Sequence, residues 1–260
     1  MSFPTFTAVR VFPARLPSRV CKAAFHTSRI DRRKVAIVLS GCGVYDGSEV
    51  HEAAAILMHL SRSRAGVAMF APAVSAAVIN HLTGETMTGQ SRNVLEESAR
   101  IARGNVKPLE ELTAEFCDAV IFPGGFGAAK ILSTFSPDGA QMKLDPQVER
   151  ILTEFHDAGK PIGLSCIAPV LAAKLFPGCE VTVGQEAEGS DRWPHASTVA
   201  TIKQMGAKHI KTEVTDIHVD RKNKLITTAA FMCEAPLYEI YEGLGAMVEK
   251  IVILVGDGHK

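Results

Sequence analysis

No pair of cysteines in this 260-residue chain is spaced as C-x-x-C; the six lie singly at 21, 42, 117, 166, 179 and 233. That spacing argues against a zinc knuckle and against a disulfide framework. No apolar stretch approaches the length of a bilayer span, so no membrane insertion is expected. Aromatics are scarce, at 6%. No G-x-x-x-x-G-K-[ST] run is present to cradle a phosphate. Two further motifs begin and fail. Gly41-Cys42-Gly43-Val44-Tyr45 opens like a dinucleotide fingerprint, but its sixth position is Asp46. No acidic residue closes the following apolar run, Gly66–Pro72, to hold a ribose. His51-Glu52 opens like a zinc-protease helix, yet Ala55 stands where the second histidine is needed. The sequence therefore implies no metal and no cofactor.

Acidic residues are missing from positions 1–30, which carry Arg10, Arg15, Arg19, Lys22 and Arg29. An Arg-, Ser- and Thr-containing leader without acids fits a mitochondrial transit peptide, expected over residues 1–33, and a matrix location. With those five removed from the 28 basic residues, the 28 acidic ones leave the remainder at about −5. Nothing in that remainder forms a basic face for nucleic acid. Reduced thiols suit a matrix address.

What is present is an alternation of buried-strand and helix patterns. Lys34–Leu39 and Ala119–Phe122 are compact apolar runs that read as buried strands. The first leads through Gly41–Gly47 to a helix over residues 50–59, with Asp46 and Ser48 as capping residues and Glu49 in its first turn. Residues 74–88 read as an inserted excursion. Helices are expected at 93–102, 109–116, 148–158, 197–205 and 237–254, the last mildly interrupted by Gly243 and Gly245. Residues 135–144 read as loop and 180–183 as strand. Ile217–Val219 and Leu225–Thr228 read as a hairpin. No repeat or long linker divides residues 34–260, which predicts one α/β domain with a mainly parallel sheet.

The central stretch is Lys160–Ala173, KPIGLSCIAPVLAA. A short apolar strand breaks at Ser165-Cys166 and an apolar helix follows, the strand–turn–helix pattern of a nucleophile elbow. Helix N-terminal N–H groups are expected to lower the Cys166 thiol pKa. A cysteine in an apolar stretch is more often a packed structural residue, so the rest of the sheet edge has to decide. In an open α/β sheet, functional groups gather beyond the carboxyl ends of the strands. Three such ends carry chemistry: Glu49 after the first strand, Gly124-Gly125 after the AVIF strand, and Cys166. A carboxyl beside a thiolate is pushed towards its protonated form and can then move protons. Bare Gly-Gly amides can serve as oxyanion donors. Cys42, flanked by glycines near Glu49, is a possible pocket residue. His51, His81 and His195 are candidates for a supporting base.

These stretches resemble the ThiJ/PfpI superfamily, also called the glutamine amidotransferase-like class 1 domain. The resemblance is closest to the bacterial ElbB glyoxalase branch and its animal mitochondrial counterpart. VLSGCGVYDGSEVHEA, INHLTGE, RNVLEESARIARG, FPGGFGAAK, GKPIGLSCIAP and ITTAAFM carry it, from about residue 34 to residue 255. The resemblance implies a flavodoxin-like three-layer α/β sandwich with helices on both faces of the sheet. It implies Cys166 as nucleophile, Glu49 as its acid, and oxyanion donors from Gly124, Gly125 and the Ile167 amide. It also implies a homodimer and a small aldehyde substrate. Ile167 stands where amidotransferases and the protease branch place histidine, which argues against glutamine hydrolysis and peptide cleavage. Three functions follow as expectations. The first is a metal- and glutathione-independent glyoxalase or deglycase acting on small α-oxoaldehydes such as methylglyoxal. The second is a non-catalytic redox-sensing or mitochondrial maintenance protein whose Cys166 oxidises. The third is an amidotransferase-like subunit without activity.

Overall fold

The computed structural model describes residues 33–186 and 191–257. The expected transit peptide therefore lies, but for Arg33, outside the described residues. The strands are β1 (Lys34–Val38), β2 (Gly66–Ala71), β3 (Ser75–Ile79), β4 (Thr86–Asn93), β5 (Val106–Pro108), β6 (Ala119–Phe122), β7 (Ile162–Ser165), β8 (Glu180–Val181), β9 (Lys208–His209), β10 (Ile217–Asp220) and β11 (Leu225–Thr228). The helices are α1 (Val50–Arg62), α2 (Val94–Ile101), α3 (Phe126–Lys130), α4 (Phe135–Asp138), α5 (Pro146–Asp157), α6 (Pro169–Leu175), α7 (Thr198–Gln204) and α8 (Leu237–Asp257).

Seven strands form the central sheet in the order β10-β11-β7-β6-β1-β2-β5. All neighbours are parallel except the β10–β11 hairpin at one edge. Parallel strands covered on both faces must be apolar along their whole length. Accordingly, every residue of β6 and β7 is buried. With its flanking helices this is a flavodoxin-like three-layer α/β sandwich, as the sequence implied. The chain leaves β1 for β2 on one side and reaches β6 on the other, so a crevice opens above the carboxyl ends of β1 and β6.

Local chemistry sets the helix starts. Asn93 caps α2 by accepting from the Glu96 N–H, and Asp145 caps α5 by accepting from those of Gln147 and Val148. The cap of α1 is Glu49 itself, whose side chain accepts from the Glu52 N–H. The helix therefore begins one residue beyond Glu49, which stands at its mouth rather than within its first turn.

Three segments differ from the sequence expectation. The excursion at 74–88 is an ordered antiparallel hairpin, β3–β4, with a register shift between Ala77 and Ile79. The helix expected over 109–116 shrinks to a 3-10 turn at Leu109–Glu111. Its carbonyls are satisfied from outside: Arg150 donates to those of Leu109 and Leu112, and Lys160 to those of Ala114 and Cys117. Tertiary donors there replace the intrahelical ladder. The stretch expected as loop at 135–144 contains the single turn α4 and a further 3-10 turn.

The two glycines that interrupt α8 mark close approaches. A Cβ on Gly243 would collide with the Val214 carbonyl oxygen, and one on Gly245 would meet the His59 ring at 2.5 Å. These glycines let α8 lie against α1 and against the loop before β10. Gly243→Ala is expected to cost about 1–3 kcal/mol by overpacking, read as a lower urea midpoint. Gly256→Ala, whose added Cβ would lie 3.7 Å from the Arg33 side chain, should be neutral or gain up to about 1 kcal/mol.

Candidate functional site

Cys166 directly follows β7 with a φ of +58°. A non-glycine residue in the left-handed region costs about 1–3 kcal/mol and persists only where its surroundings hold it. Here the Cys166 N–H donates to the Thr228 carbonyl at 3.1 Å, and the Ala168 N–H to the Ser165 carbonyl at 3.0 Å. The result is a sharp strand-to-helix elbow that leaves the thiol 9% exposed. The Gly125 and Ile167 N–H groups lie beside its sulfur and favour its thiolate form.

The carboxyl beside that thiol belongs to Glu52, not to Glu49. Glu52 is completely buried, one turn into α1. Its Oε2 accepts from the Ser165 hydroxyl at 2.6 Å and from the Gly124 N–H at 2.9 Å. Its carboxyl also lies beside the Cys166 thiol, the two meeting around the position a Gly124 Cβ would take. Its Oε1 is the buried side-chain polar atom that lacks a protein partner among the described residues. The fit here is tight, since a Cβ on Gly124 would collide with Cys166 Cβ and lie 3.0 Å from Glu52 Oε2. Burial pushes the Glu52 carboxyl up from 4.5 to about 7, against the pull of the Ser165 and Gly124 bonds.

The expectation of a depressed thiol pKa at Cys166 is reversed. Burial, and then the charge of Glu52, push it well above its ordinary value, and the Gly125 and Ile167 amides only partly oppose them. The helix that follows begins at Pro169, three residues on, and its N-terminus does not overcome desolvation.

Glu49 is nearby but differently employed. Its Oε2 accepts from the Glu52 N–H at 2.7 Å and its Oε1 bonds His51 Nδ1 at 2.8 Å. Its own N–H donates to the Gly124 carbonyl, joining the loop after β1 to the loop after β6. Glu49 and Cys166 line the same cavity, about 260 Å³ in volume. Gly125, Ile167, His195, Phe126, Phe135 and Phe231 are also part of its lining.

The structure thus brings together Cys166, Glu49, Gly125, Ile167 and His195. The Gly124 amide is spent on Glu52 and is not available as an oxyanion donor. Cys42 lines a separate small crevice with Asp46, Arg92 and Glu97, and not the Cys166 cavity. His51 reaches the site through Glu49 and the Phe231 ring, while His81 packs on Tyr45 and Gly43. Sequence reasoning passed over Glu52 as a site residue. Its signal was there to be found: an acid sharing the buried stripe of α1 with Ile56 and Leu60 is an anomaly that a core position does not tolerate without a partner. The aromatic walls carried no such signal. Among the described residues no group of three or more His, Cys, Asp or Glu side chains could hold a metal. No helix among them is long and apolar enough to cross a membrane.

A flavodoxin-like sheet whose carboxyl edge carries a left-handed cysteine elbow against a buried acid accompanies similarity to class 1 glutamine amidotransferase-like proteins. A solved isoprenoid biosynthesis protein with an amidotransferase-like domain from Ehrlichia chaffeensis superposes with a TM-score of 0.76 at 33% identity, over 85% of this chain and 98% of its own. Drosophila melanogaster DJ-1beta shares the fold, with a TM-score of 0.51 at 16% identity over 87% of this chain and 97% of its own. No protein-family model matches the chain. The human glutamine amidotransferase-like class 1 domain-containing protein 3, mitochondrial, is 58% identical over 245 residues, 93% of this chain and 90% of that protein. The Danio rerio ES1 protein, mitochondrial, is 43% identical over 228 residues, 84% of each. The chain belongs to this ES1 family of glutamine amidotransferase-like proteins, and the mitochondrial location read from its leader is the one these relatives carry.

The Glu52 geometry makes stability depend on pH. Folded Glu52 holds its proton up to about pH 7 whereas the unfolded chain releases it near 4.5. Between those values the folded state binds the extra proton, so stability falls as pH rises, by roughly 3 kcal/mol in full. Glu52→Gln, with its amide NH2 in the place of Oε1, should flatten the thermal-melting profile between about pH 5 and pH 8. Ser165→Ala removes a donor to the carboxylate and should move the wild-type decline to higher pH. Parallel profiles for wild type and Glu52→Gln would contradict the assignment.

Proposed function

We propose that the protein is a cofactor-independent, cysteine-dependent glyoxalase that converts an α-oxoaldehyde to the corresponding 2-hydroxy acid. The observation that supports this is the buried Glu52 carboxyl in contact with the Cys166 thiol at a cavity shared with Glu49.

The chemistry follows from ordinary proton bookkeeping. The Cys166 sulfur bonds to the aldehyde carbon while its proton passes to Glu52, and the C=O π pair moves onto oxygen. The Gly125 and Ile167 N–H groups, beside the sulfur, stabilise that oxyanion. Protonation by Glu52 completes a hemithioacetal. Glu49, positioned by His51, then takes the proton from the former aldehyde carbon and returns it to the neighbouring carbon, while the hemithioacetal hydroxyl proton passes to the former ketone oxygen. The first carbon is oxidised as the second is reduced, so no external oxidant or reductant takes part. The product is a thioester, and water hydrolyses it to release the hydroxy acid and the thiol. Residues 34–260 act in this reading as one domain, and the protein works as a homodimer.

Lactate formation from methylglyoxal tests the reading. Cys166→Ser should abolish turnover, and Glu49→Gln should lower kcat by about 10²–10⁴-fold. Glu52→Gln should also lower it, through loss of the proton acceptor. Equal trace rates in all four proteins would overturn the enzyme reading. Peroxide-dependent mass gain at Cys166 would then favour a redox sensor.

A further inference from the structure

The cavity above Cys166 is larger and less polar than methylglyoxal requires. Its volume of about 260 Å³ equals that of roughly nine waters at their liquid share of ~30 Å³ each. A two- or three-carbon aldehyde bonded to the sulfur would leave most of it to water. Its walls include Phe126, Phe135, Phe231 and Met232, and such surfaces favour an apolar occupant. Charge limits the choice further. No lysine or arginine is among the described lining residues, whose ionisable members are Glu49, Cys166 and His195. Glu52 lies directly behind the sulfur. The nearby Lys130 sits over the Phe126 ring at 5.0 Å and donates to the Tyr45 carbonyl, and it is not part of the lining. A carboxylate or phosphate on the substrate would meet the Glu49 carboxyl and no lysine or arginine.

We propose that this site selects uncharged α-oxoaldehydes carrying an aryl or bulky alkyl group, in preference to glyoxal and methylglyoxal and against anionic analogues. The proposal rests on the glyoxalase reading and adds the substrate class. In the covalent adduct the aldehyde carbon is held at Cys166 Sγ, its oxygen faces the Gly125 and Ile167 amides, and the apolar group lies among the three phenylalanines. The adduct forms by addition alone: one C–S bond is made, and the thiol proton ends on the former carbonyl oxygen.

The test compares kcat/KM of the full chain for phenylglyoxal, methylglyoxal and 4-carboxyphenylglyoxal. Phenylglyoxal should exceed methylglyoxal by about 10–100-fold, the range that added apolar contact supplies. The carboxylated analogue should fall well below phenylglyoxal. Phe231→Ala should shrink the phenyl-to-methyl ratio about tenfold, and Thr198→Arg should selectively raise activity on the carboxylated analogue. Methylglyoxal matching or exceeding phenylglyoxal, or indifference to the added carboxylate, would overturn the proposal while leaving the enzyme reading intact.

A second arm separates the two failures. The rate of Cys166 alkylation by neutral phenacyl bromide and by anionic iodoacetate is followed by peptide mass spectrometry and normalised to a free thiol. A normalised preference for phenacyl bromide without turnover of any aldehyde would sustain the cavity selectivity and reject the glyoxalase reading. No preference would reject the selectivity itself.

Discussion

The structure depends on one buried carboxyl. Glu52 enters from α1 and is met by a Gly124 N–H from the loop after β6 and by a Ser165 hydroxyl from the end of β7. A buried, half-satisfied acid is costly, so each donor constrains the element that supplies it. The helix, the Gly-Gly loop and the elbow are thereby fixed relative to one another around the sulfur. Both donors fall on Oε2, which leaves Oε1 as the oxygen without a protein partner beside the thiol. A residue that would be a liability in an ordinary core here adds to burial in holding the Cys166 proton.

Around that carboxyl the backbone is assembled without room for side chains. Gly125 has a φ of +97°, and a Cβ there would collide with the Glu49 nitrogen and the Gly47 oxygen. The adjoining amides close the same seam: the Glu49 N–H donates to the Gly124 carbonyl, the Phe126 N–H to Val44 and the Gly127 N–H to Gly47. Backbone meets backbone across the crevice, so the loops that carry the two amides at the sulfur are held together. Preorganised donors of this kind spend no reorganisation energy during reaction. The strained φ of Cys166 belongs to the same economy, with Thr228 on the neighbouring strand holding the turn open.

Glu49 and Glu52 divide two tasks between them although they lie one turn apart. Glu52 faces the interior, where desolvation raises its pKa. Glu49 faces the cavity and is tied to His51, which is largely solvent-exposed. Two carboxyls in different dielectrics suit different proton transfers, as acid and base roles require. The helix cap makes the division possible, because Glu49 also receives the Glu52 N–H and so fixes the entry angle of α1.

The sequence by itself determined the sheet, the leader's address and the elbow. Beyond Lys34, KVAIVL and AVIF carry no polar residue that a surface strand would need, and the break at Ser165-Cys166 between two apolar runs leaves few alternatives to a sharp turn. It also placed Glu49, Gly125, Ile167 and Cys166 at one edge, since parallel strands with crossover helices bring their carboxyl ends together. Only the tertiary structure decided which carboxyl touches the thiol. Glu49 at the cap and Glu52 within α1 lie three residues apart, and the rotation of α1 against the sheet, set by packing on α8 and β2, chooses between them. Desolvation likewise reversed the thiol pKa expected from local helix geometry, because burial is a property of the whole fold. The cavity walls come from segments far apart in the chain, Val44, Phe126, Phe135, His195 and Phe231. No local pattern marks them, and the cavity they line exists only once the fold has closed around it.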